Sequence, residues 1–234
     1  MAQAGLAPLI AVVGCDGSGK STLSADLLAW LRQSREVDTV YLGLRSGVMG
    51  NRIKSWPLIG RAFERQLSKK AGQARNKDGK IPGAATAFVI YMFSVKRMRA
   101  FRRMLALRKR GVTIVTDRYP QVEVPGFYDG PGLSAARAEG WLVSRLARRE
   151  RAMYETMISH VPDLVIRLNV DVDTAFARKP DHKRASLEAK VAVTPYLKFN
   201  GAKIVDLCST DPYPTVLEQA KAAVTDALST PRSG

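Results

Sequence analysis

The chain has 234 residues, of which 37 are lysine or arginine and 21 are aspartate or glutamate, so its formal net charge is +16 and its isoelectric point is about 10.2. Its two cysteines, Cys15 and Cys208, are too few for a disulfide framework and too widely spaced for a zinc site. These features exclude a disulfide-rich secreted domain and favour a single cytoplasmic domain with one core, whose positive charge attracts anionic ligands.

Short apolar runs alternate with longer helical patterns, which predicts an α/β fold with a parallel sheet and helices on both of its faces. The runs are continuous and apolar, as buried parallel strands are. The predicted strands are Leu9 to Val13, Thr39 to Leu42, Val112 to Thr116, Leu164 to Asn169 and Lys203 to Leu207. The predicted helices are Ser21 to Gln33, Ala84 to Arg110, Ser134 to His160, Val172 to Arg178, Ser186 to Tyr196 and Tyr213 to Leu228.

The second predicted helix is the longest, and Phe88, Tyr91, Met92 and Val95 recur in it at helical spacing. This periodicity predicts that these four side chains form its core face. The apolar part of this helix is about half as long as the ~20-residue segment that crosses a membrane, so we expect no membrane span.

Three stretches are predicted to be irregular. Residues 68–83 are rich in glycine and lysine, residues 179–184 contain a proline among charged side chains, and residues 229–234 form a polar tail. Glycine, proline and polar clusters of this kind favour loops over packed elements.

The strongest motif runs from Gly14 to Ser21 and matches G-x-x-x-x-G-K-[ST] between a predicted strand and a predicted helix. Its glycines let the backbone N–H groups form a nest for phosphates at the positive end of the helix. Lys20 is expected to reach the β and γ phosphates of ATP, and the Ser21 hydroxyl to bind Mg²⁺. The predicted ATP-binding residues of the loop are Gly14, Asp16, Gly17, Ser18, Gly19, Lys20, Ser21 and Thr22.

A second motif, Asp117-Arg118-Tyr119, follows the third predicted strand. Ligands of open parallel sheets bind at the carboxyl ends of the strands. We therefore expect Asp117 to hold Mg²⁺ directly or through water, and Arg118 to bridge the donor and acceptor phosphates.

Together these motifs resemble the thymidylate kinase family of P-loop nucleoside monophosphate kinases. The similar features are the loop from Gly14 to Thr22, Asp117 to Tyr119, Pro162-Asp163-Leu164 before the fourth strand, and a helix that ends at Arg178. The resemblance spans nearly the whole chain. It implies a three-layer P-loop NTPase fold with a five-stranded parallel sheet and a mobile lid near residues 178–186. The implied reaction is phosphoryl transfer from Mg²⁺-ATP to a nucleoside monophosphate, with dTMP as the first candidate.

The resemblance also implies where the catalytic positive charge lies. Family members with a glycine at the position of Gly17 supply that charge from the lid. The candidates for this charge are Arg178, Lys179, Lys183 and Arg184. Arg178 is the first candidate for the catalytic residue, the other three would contact ATP, and which of the four is catalytic stays open.

The acceptor half of the chain resembles the family less closely. Arg45 corresponds to the arginine that holds the acceptor monophosphate, and Arg97 to a base-contacting residue, but Lys96 replaces a carboxylate. Tyr128 and Asp129 fall where the family has an acceptor-site tyrosine and glutamine.

These departures leave alternatives open. Arg178-Lys179-Pro180-Asp181 with Tyr196 also resembles thymidylate kinase-like proteins encoded among genes for surface polysaccharide synthesis, which implies a sugar, sugar phosphate or lipid-linked acceptor. An alternative of another class is a non-catalytic nucleotide-binding module on an anionic polymer, which the basic surface would contact. Whether the chain forms a homodimer also stays open.

Overall fold

The computed structural model describes residues 5–43, 84–126, 129–135 and 140–229. The predictions for Arg45 and Tyr128, for the irregular stretch 68–83 and for the tail from residue 230 lie outside these ranges. The strands are β1 (Leu9–Gly14), β2 (Val37–Thr39), β3 (Thr113–Asp117), β4 (Leu164–Asn169) and β5 (Ile204–Cys208). The helices, numbered within the described ranges, are α1 (Lys20–Leu31), α2 (Ala84–Lys109), α3 (Trp141–Ile158), α4 (Val172–Arg178), α5 (Arg184–Val193) and α6 (Tyr213–Ser229).

The five strands form one sheet in the order β2-β3-β1-β4-β5, and every neighbouring pair is parallel. This confirms the predicted α/β fold and its five-stranded parallel sheet. The central strand β1 is fully buried because it has a strand on each side and helices on both faces.

Alternate residues of β1 point to opposite faces of the sheet, as the two-residue period of a strand requires. Leu9, Ala11 and Val13 pack in a cluster with side chains of α2 and α3. Ile10 and Val12 pack in a second cluster with side chains of α1 and α6. The sheet is therefore the middle layer of three.

The predicted second strand, Thr39 to Leu42, is placed too late in the chain. In β2, Val37 to Thr39 pair with β3. Val40 and Leu42 are buried in the core without continuing the ladder, and the Val40 carbonyl accepts a hydrogen bond from the Thr116 hydroxyl. Two buried apolar residues at alternate positions give the same sequence pattern as a strand, which explains the misplaced prediction.

Two helix boundaries also differ from the prediction. Helix α3 begins at Trp141 after Gly140, whose φ of 86° is not helical, and Leu133–Ala135 form a separate 3₁₀ turn. Helix α5 ends at Val193 and is followed by a 3₁₀ turn, Thr194–Tyr196, that contains Pro195.

The predicted core face of the long helix α2 is only partly correct, since Tyr91 and Val95 are partly buried but the other two residues are exposed. Phe88 is 55% exposed and Met92 is 42% exposed. The buried face instead contains Arg97 together with Met98, Phe101 and Met104. Apolar periodicity does not count arginine, so Arg97 was not among the predicted core residues, whereas buried partners described below neutralise its charge.

Parallel strands bring the carboxyl ends of β1 and β3 to the same edge of the sheet, where Val12 pairs with Asp117. The glycine loop follows β1 at this edge, and Asp117 ends β3. Among the helices that the structure describes, none combines the length and apolar character needed to cross a membrane.

Candidate phosphate-binding site

The loop between β1 and α1 passes close to two other elements at its glycines. A Cβ atom at Gly14 would lie 2.7 Å from the Leu168 carbonyl oxygen of β4, and one at Gly17 would lie 2.8 Å from the Ala175 carbonyl oxygen of α4. Both distances are shorter than side-chain carbons tolerate, and Gly17 also has a φ of 88° that favours glycine. The glycines therefore let the loop fold tightly at the amino end of α1, where helix N–H groups favour anions.

The Lys20 side chain is folded under this loop. Its ammonium nitrogen donates a hydrogen bond of 3.1 Å to the Cys15 carbonyl oxygen and lies 3.6 Å from Asp16 Oδ1. Burial, together with the nearby positive charge of Arg118, lowers the pKa of Lys20 from its usual value. The carboxylate groups around it oppose this shift of the pKa, and Asp16 pairs with the ammonium group.

Ser21 and Asp117, the two residues predicted to bind metal, are in direct contact. The Ser21 hydroxyl donates a hydrogen bond of 2.7 Å to Asp117 Oδ2. The other carboxylate oxygen, Asp117 Oδ1, is buried and has no hydrogen-bond partner in the part of the chain that the structure describes. Two residues 96 positions apart therefore present oxygen atoms together at the edge of the sheet.

The Asp16 carboxylate is the centre of a cluster of basic side chains. Arg118 Nη2 donates to Asp16 Oδ1 at 2.8 Å, Lys190 of α5 is hydrogen-bonded to Oδ2, and His182 Nδ1 lies 3.8 Å from Oδ2. Burial alone would raise the pKa of Asp16, but the charges of Lys190, Arg118 and Lys20 outweigh it, so that the pKa lies well below its usual value. Asp16 therefore remains ionised and links the loop to α5.

Arg118 has a strained backbone, with a φ of 78° that is uncommon for a residue with a side chain. This conformation directs its guanidinium group between Asp16 and Asp129, whose Oδ2 lies 3.4 Å from Arg118 Nη1. The next residue, Tyr119, is buried and donates a hydrogen bond of 3.3 Å to the Met157 carbonyl of α3. Tyr119 thus anchors a turn that places Arg118 beside the loop.

Arg97 lies inside the protein, with its side chain fully buried. Its guanidinium group forms a salt bridge with Asp129 Oδ1, donates to the Asp129 carbonyl oxygen at 2.6 Å and donates to the Tyr154 hydroxyl at 2.6 Å. Asp129 also has a positive φ of 63°. Arg97 and Asp129, both predicted to bind the acceptor, are therefore brought together and bound to each other.

Arg178 ends α4 and contacts the loop backbone. Its Nη1 atom donates to the Ser209 hydroxyl at 2.7 Å and to the Gly17 carbonyl at 3.2 Å, and its Nη2 atom donates to the Ser209 carbonyl at 3.0 Å. The Ser209 hydroxyl in turn donates to the Ser18 carbonyl at 2.8 Å. Arg178 and Ser209 together fix the outer side of the phosphate-binding loop.

The other predicted lid residues differ in position. Lys179 lines the cavity at the loop, as His182 does. Lys183 is exposed at the start of α5, and Arg184 forms a salt bridge with Asp173. Neither Lys183 nor Arg184 is among the described residues that line this cavity.

Sequence reasoning missed three residues of the site. Lys190, Tyr154 and Ser209 contact Asp16, Arg97 and the loop, respectively. The sequence placed Lys190 and Tyr154 on predicted helices, but it contains no signal for which helical residues face the site. Ser209 follows β5 directly, and this position at the carboxyl end of a parallel strand is the signal that predicts it.

Two cavities meet at the Ser21–Asp117 contact. One has a volume of about 450 Å³ and is lined by loop residues with Arg118, Arg178 and Lys179. The other is a groove of about 780 Å³ between α1, the end of β2 and α2. Ser21, Tyr41 and Asp117 line both of them. The site therefore has room for two ligands, one on each side of the Ser21–Asp117 pair.

The strand order, the all-parallel pairing and the glycine loop between β1 and α1 define a P-loop-like α/β protein. No protein-family model matches the chain. The chain is 46% identical over 217 residues to "Uncharacterized ATP-binding protein YghR" of Escherichia coli K12, an alignment that covers 92% of this chain and 86% of that protein. It is 47% identical over 222 residues to "Uncharacterized ATP-binding protein YghS" of the same strain, with 94% of each chain covered. The chain therefore belongs to the family of YghR and YghS.

Proposed function

We propose that this protein is a P-loop kinase that binds Mg²⁺-ATP at the loop and transfers the γ-phosphoryl group to a small acceptor. The observation that carries the proposal is the pair of adjoining cavities that share Ser21 and Asp117. A protein that only binds nucleotide needs the first cavity, whereas phosphoryl transfer needs a donor and an acceptor held on either side of one reaction centre. The names of YghR and YghS support ATP binding, and the resemblance to thymidylate kinases supports phosphoryl transfer.

In this proposal the bond between the γ-phosphorus and the β–γ bridging oxygen breaks while a bond to an acceptor oxygen forms, and ADP leaves. For a phosphate acceptor the attacking oxygen is already anionic, so no proton has to be removed. Lys20 binds the β and γ phosphates, and Arg118 neutralises charge between the two substrates. Such groups act most strongly in a site that excludes water.

The residues present fit a magnesium ion. Mg²⁺ prefers oxygen ligands and is commonly bound through one or two carboxylates together with substrate phosphates. Asp117 Oδ1 is a buried carboxylate oxygen without a partner in the described ranges, and the Ser21 hydroxyl lies beside the same carboxylate. Ser21 and Asp117 would hold the ion, which neutralises phosphate charge when it is bound.

Lys190 of α5 is a further cation that contacts the loop. Its ammonium group is bound to Asp16 of the loop, next to the position where the phosphates of ATP enter. ATP brings several negative charges to this position, and these compete with Asp16 for Lys190. Arg178, by contrast, is held by the loop backbone and Ser209, a contact that positions the loop.

The first acceptor to test is dTMP, which the resemblance implies. In that reading Arg45 and Arg97 bind the acceptor together with Tyr128 and Asp129. One observation favours a second class of acceptor, a sugar, sugar phosphate or lipid-linked sugar: the guanidinium group of Arg97 is already bound to Asp129 and Tyr154. A base edge would have to displace one of these buried contacts.

The test is a screen for ADP formation with nucleoside monophosphates, nucleosides, sugars and sugar phosphates, run on wild type and on Lys20→Ala. We expect one acceptor class to stimulate ADP formation in wild type, and Lys20→Ala to lose at least ~10²-fold of that rate. If every acceptor leaves ADP formation at background while an ATP analogue still binds, the kinase proposal fails and the non-catalytic alternative replaces it.

A further inference from the structure

The positive charge of the chain is confined to one part of its sequence. Residues 44–110 contain 18 of the 37 lysines and arginines but only 2 of the 21 aspartates and glutamates, so they carry a formal charge of +16. The remainder of the chain is balanced at zero. An excess spread over solvated helix faces would not be distributed in this way.

The described part of this basic segment is dominated by α2, which has seven lysines and arginines and no carboxylate. Arg97 pairs with Asp129, and Arg108 pairs with Asp163. Arg99 and Arg103 are exposed and have no ion-pair partner within the ranges that the structure describes. Their charges are therefore available to a ligand.

Lys96, Arg99 and Arg103 line the same groove, the one of about 780 Å³ that ends at Ser21 and Asp117. They follow each other at spacings of three and four residues, which places them in a row along one face of the helix. At a rise of 1.5 Å per residue, the row is about 10 Å long. Among the described residues that line the groove, Asp117 is the only acidic one.

We propose that Lys96, Arg99 and Arg103 form a second anion-binding subsite of the acceptor groove. This inference rests on the proposed kinase function and names its substrate class, a small acceptor with at least two separated anionic groups, such as a sugar bisphosphate or a sugar diphosphate. One end of the acceptor lies at Asp117, where the phosphoryl group arrives, and the other anionic group lies along the basic row. The row is about 10 Å long, so that three cations face the second anionic group of one extended molecule.

A small acceptor fits the observations better than a polymer or a membrane. The three side chains line a groove that leads to the proposed reaction centre. A polymer bound for charge alone would need a basic surface but no cavity that ends beside the phosphate-binding loop.

The experiment uses fructose 1,6-bisphosphate and fructose 6-phosphate as probes, since they differ by one phosphate at the far end of the same sugar. Each is titrated calorimetrically into the full chain saturated with Mg²⁺ and AMP-PNP. The bound nucleotide then occupies the loop, so that the probe cannot bind there. The variant Arg99→Gln/Arg103→Gln removes two charges from the row. The control Arg102→Gln/Arg110→Gln removes two charges from exposed residues that are not among those described as lining the groove.

We expect wild type and the control variant to bind the bisphosphate at least about tenfold more tightly than the monophosphate, because the row adds charge-assisted hydrogen bonds. The Arg99→Gln/Arg103→Gln variant should lose this preference. Equal binding of the two probes to wild type, or an equal loss in both variants, overturns the proposal. The second result would show that only the general field attracts the probes.

A single-stranded oligonucleotide and phosphatidylglycerol vesicles are titrated in parallel. If either binds wild type, loses that binding in Arg99→Gln/Arg103→Gln alone, and the sugar probes show no preference, the row serves a polymer or a membrane and the proposal is wrong. Failure of AMP-PNP to bind would sink the kinase function instead. In that case the same sugar titrations into the two double variants without nucleotide still test whether the groove binds the second anionic group.

Discussion

Replacing Arg97 by methionine tests whether its guanidinium group is a structural element or is free to contact an acceptor. The Arg97 side chain is fully buried, and Asp129 is 9% exposed. Methionine keeps most of the apolar stem but leaves Asp129 without its closest cation and leaves the Tyr154 hydroxyl without its donor. Arg118 still faces Asp129 Oδ2 at 3.4 Å and compensates part of the lost charge.

Breaking a buried ion pair by removing one partner costs about 3 to 5 kcal/mol, and with Arg118 in place we expect the lower end of this range. For a chain of this size that loss corresponds to a thermal midpoint about 6 to 12 °C lower. The assay is urea and thermal unfolding of wild type, Arg97→Met and the control Arg99→Met. The control replaces an exposed arginine of the same helix and should change stability by less than about 0.5 kcal/mol.

A double-mutant cycle with Asp129→Asn isolates the pair itself, and we expect a coupling energy of at least about 1.5 kcal/mol. If Arg97→Met is no less stable than Arg99→Met, the buried geometry does not hold in solution. The base-contacting role predicted for Arg97 would then be favoured, and dTMP would regain support as the acceptor.

Three further changes test the loop. The pKa of Asp16 is depressed in the folded chain, so its contribution to stability should be complete above about pH 4 and decrease as the pH falls. The measurement is urea unfolding of wild type and Asp16→Asn at pH 3 and pH 7. A difference in unfolding free energy between the two proteins that is the same at both pH values contradicts this. Lys190→Met should weaken Mg²⁺-AMP-PNP binding about tenfold in calorimetry, whereas Lys183→Met should leave it unchanged, and equal effects would refute the role given to Lys190. Ser209→Ala should cost about 1 to 3 kcal/mol of unfolding free energy, because it removes a buried partner of Arg178; an unchanged urea midpoint would show that this contact does not stabilise the loop.

The sheet and the phosphate-binding loop were predictable because their signals are local. A run of buried apolar residues specifies β1, and the glycine, lysine and serine spacing after it specifies the turn and the following helix. The position of Asp117 beside the loop was predictable for a related reason, since the carboxyl ends of parallel strands share one edge and the strand order of the sheet places β3 beside β1.

The contacts that the sequence did not predict join residues far apart in the chain. Lys190 and Asp16 are separated by 174 positions, and Arg97 and Asp129 by 32. Helical periodicity identifies apolar faces only, and it therefore left buried Arg97 out of the core face and placed exposed Phe88 in it. The limits of β2 were misplaced for a similar reason, because Val40 is buried by packing and not by strand pairing.

The central claim is that Mg²⁺-ATP binds at the loop between β1 and α1. The most direct measurement is calorimetric titration of AMP-PNP into wild type and Lys20→Ala, each with and without Mg²⁺. We predict one bound nucleotide per chain, tighter binding when Mg²⁺ is present, and affinity about tenfold to a hundredfold weaker in Lys20→Ala, because a charge-assisted contact to phosphate is lost. Absence of binding by wild type, or equal affinity of wild type and Lys20→Ala, would contradict the account.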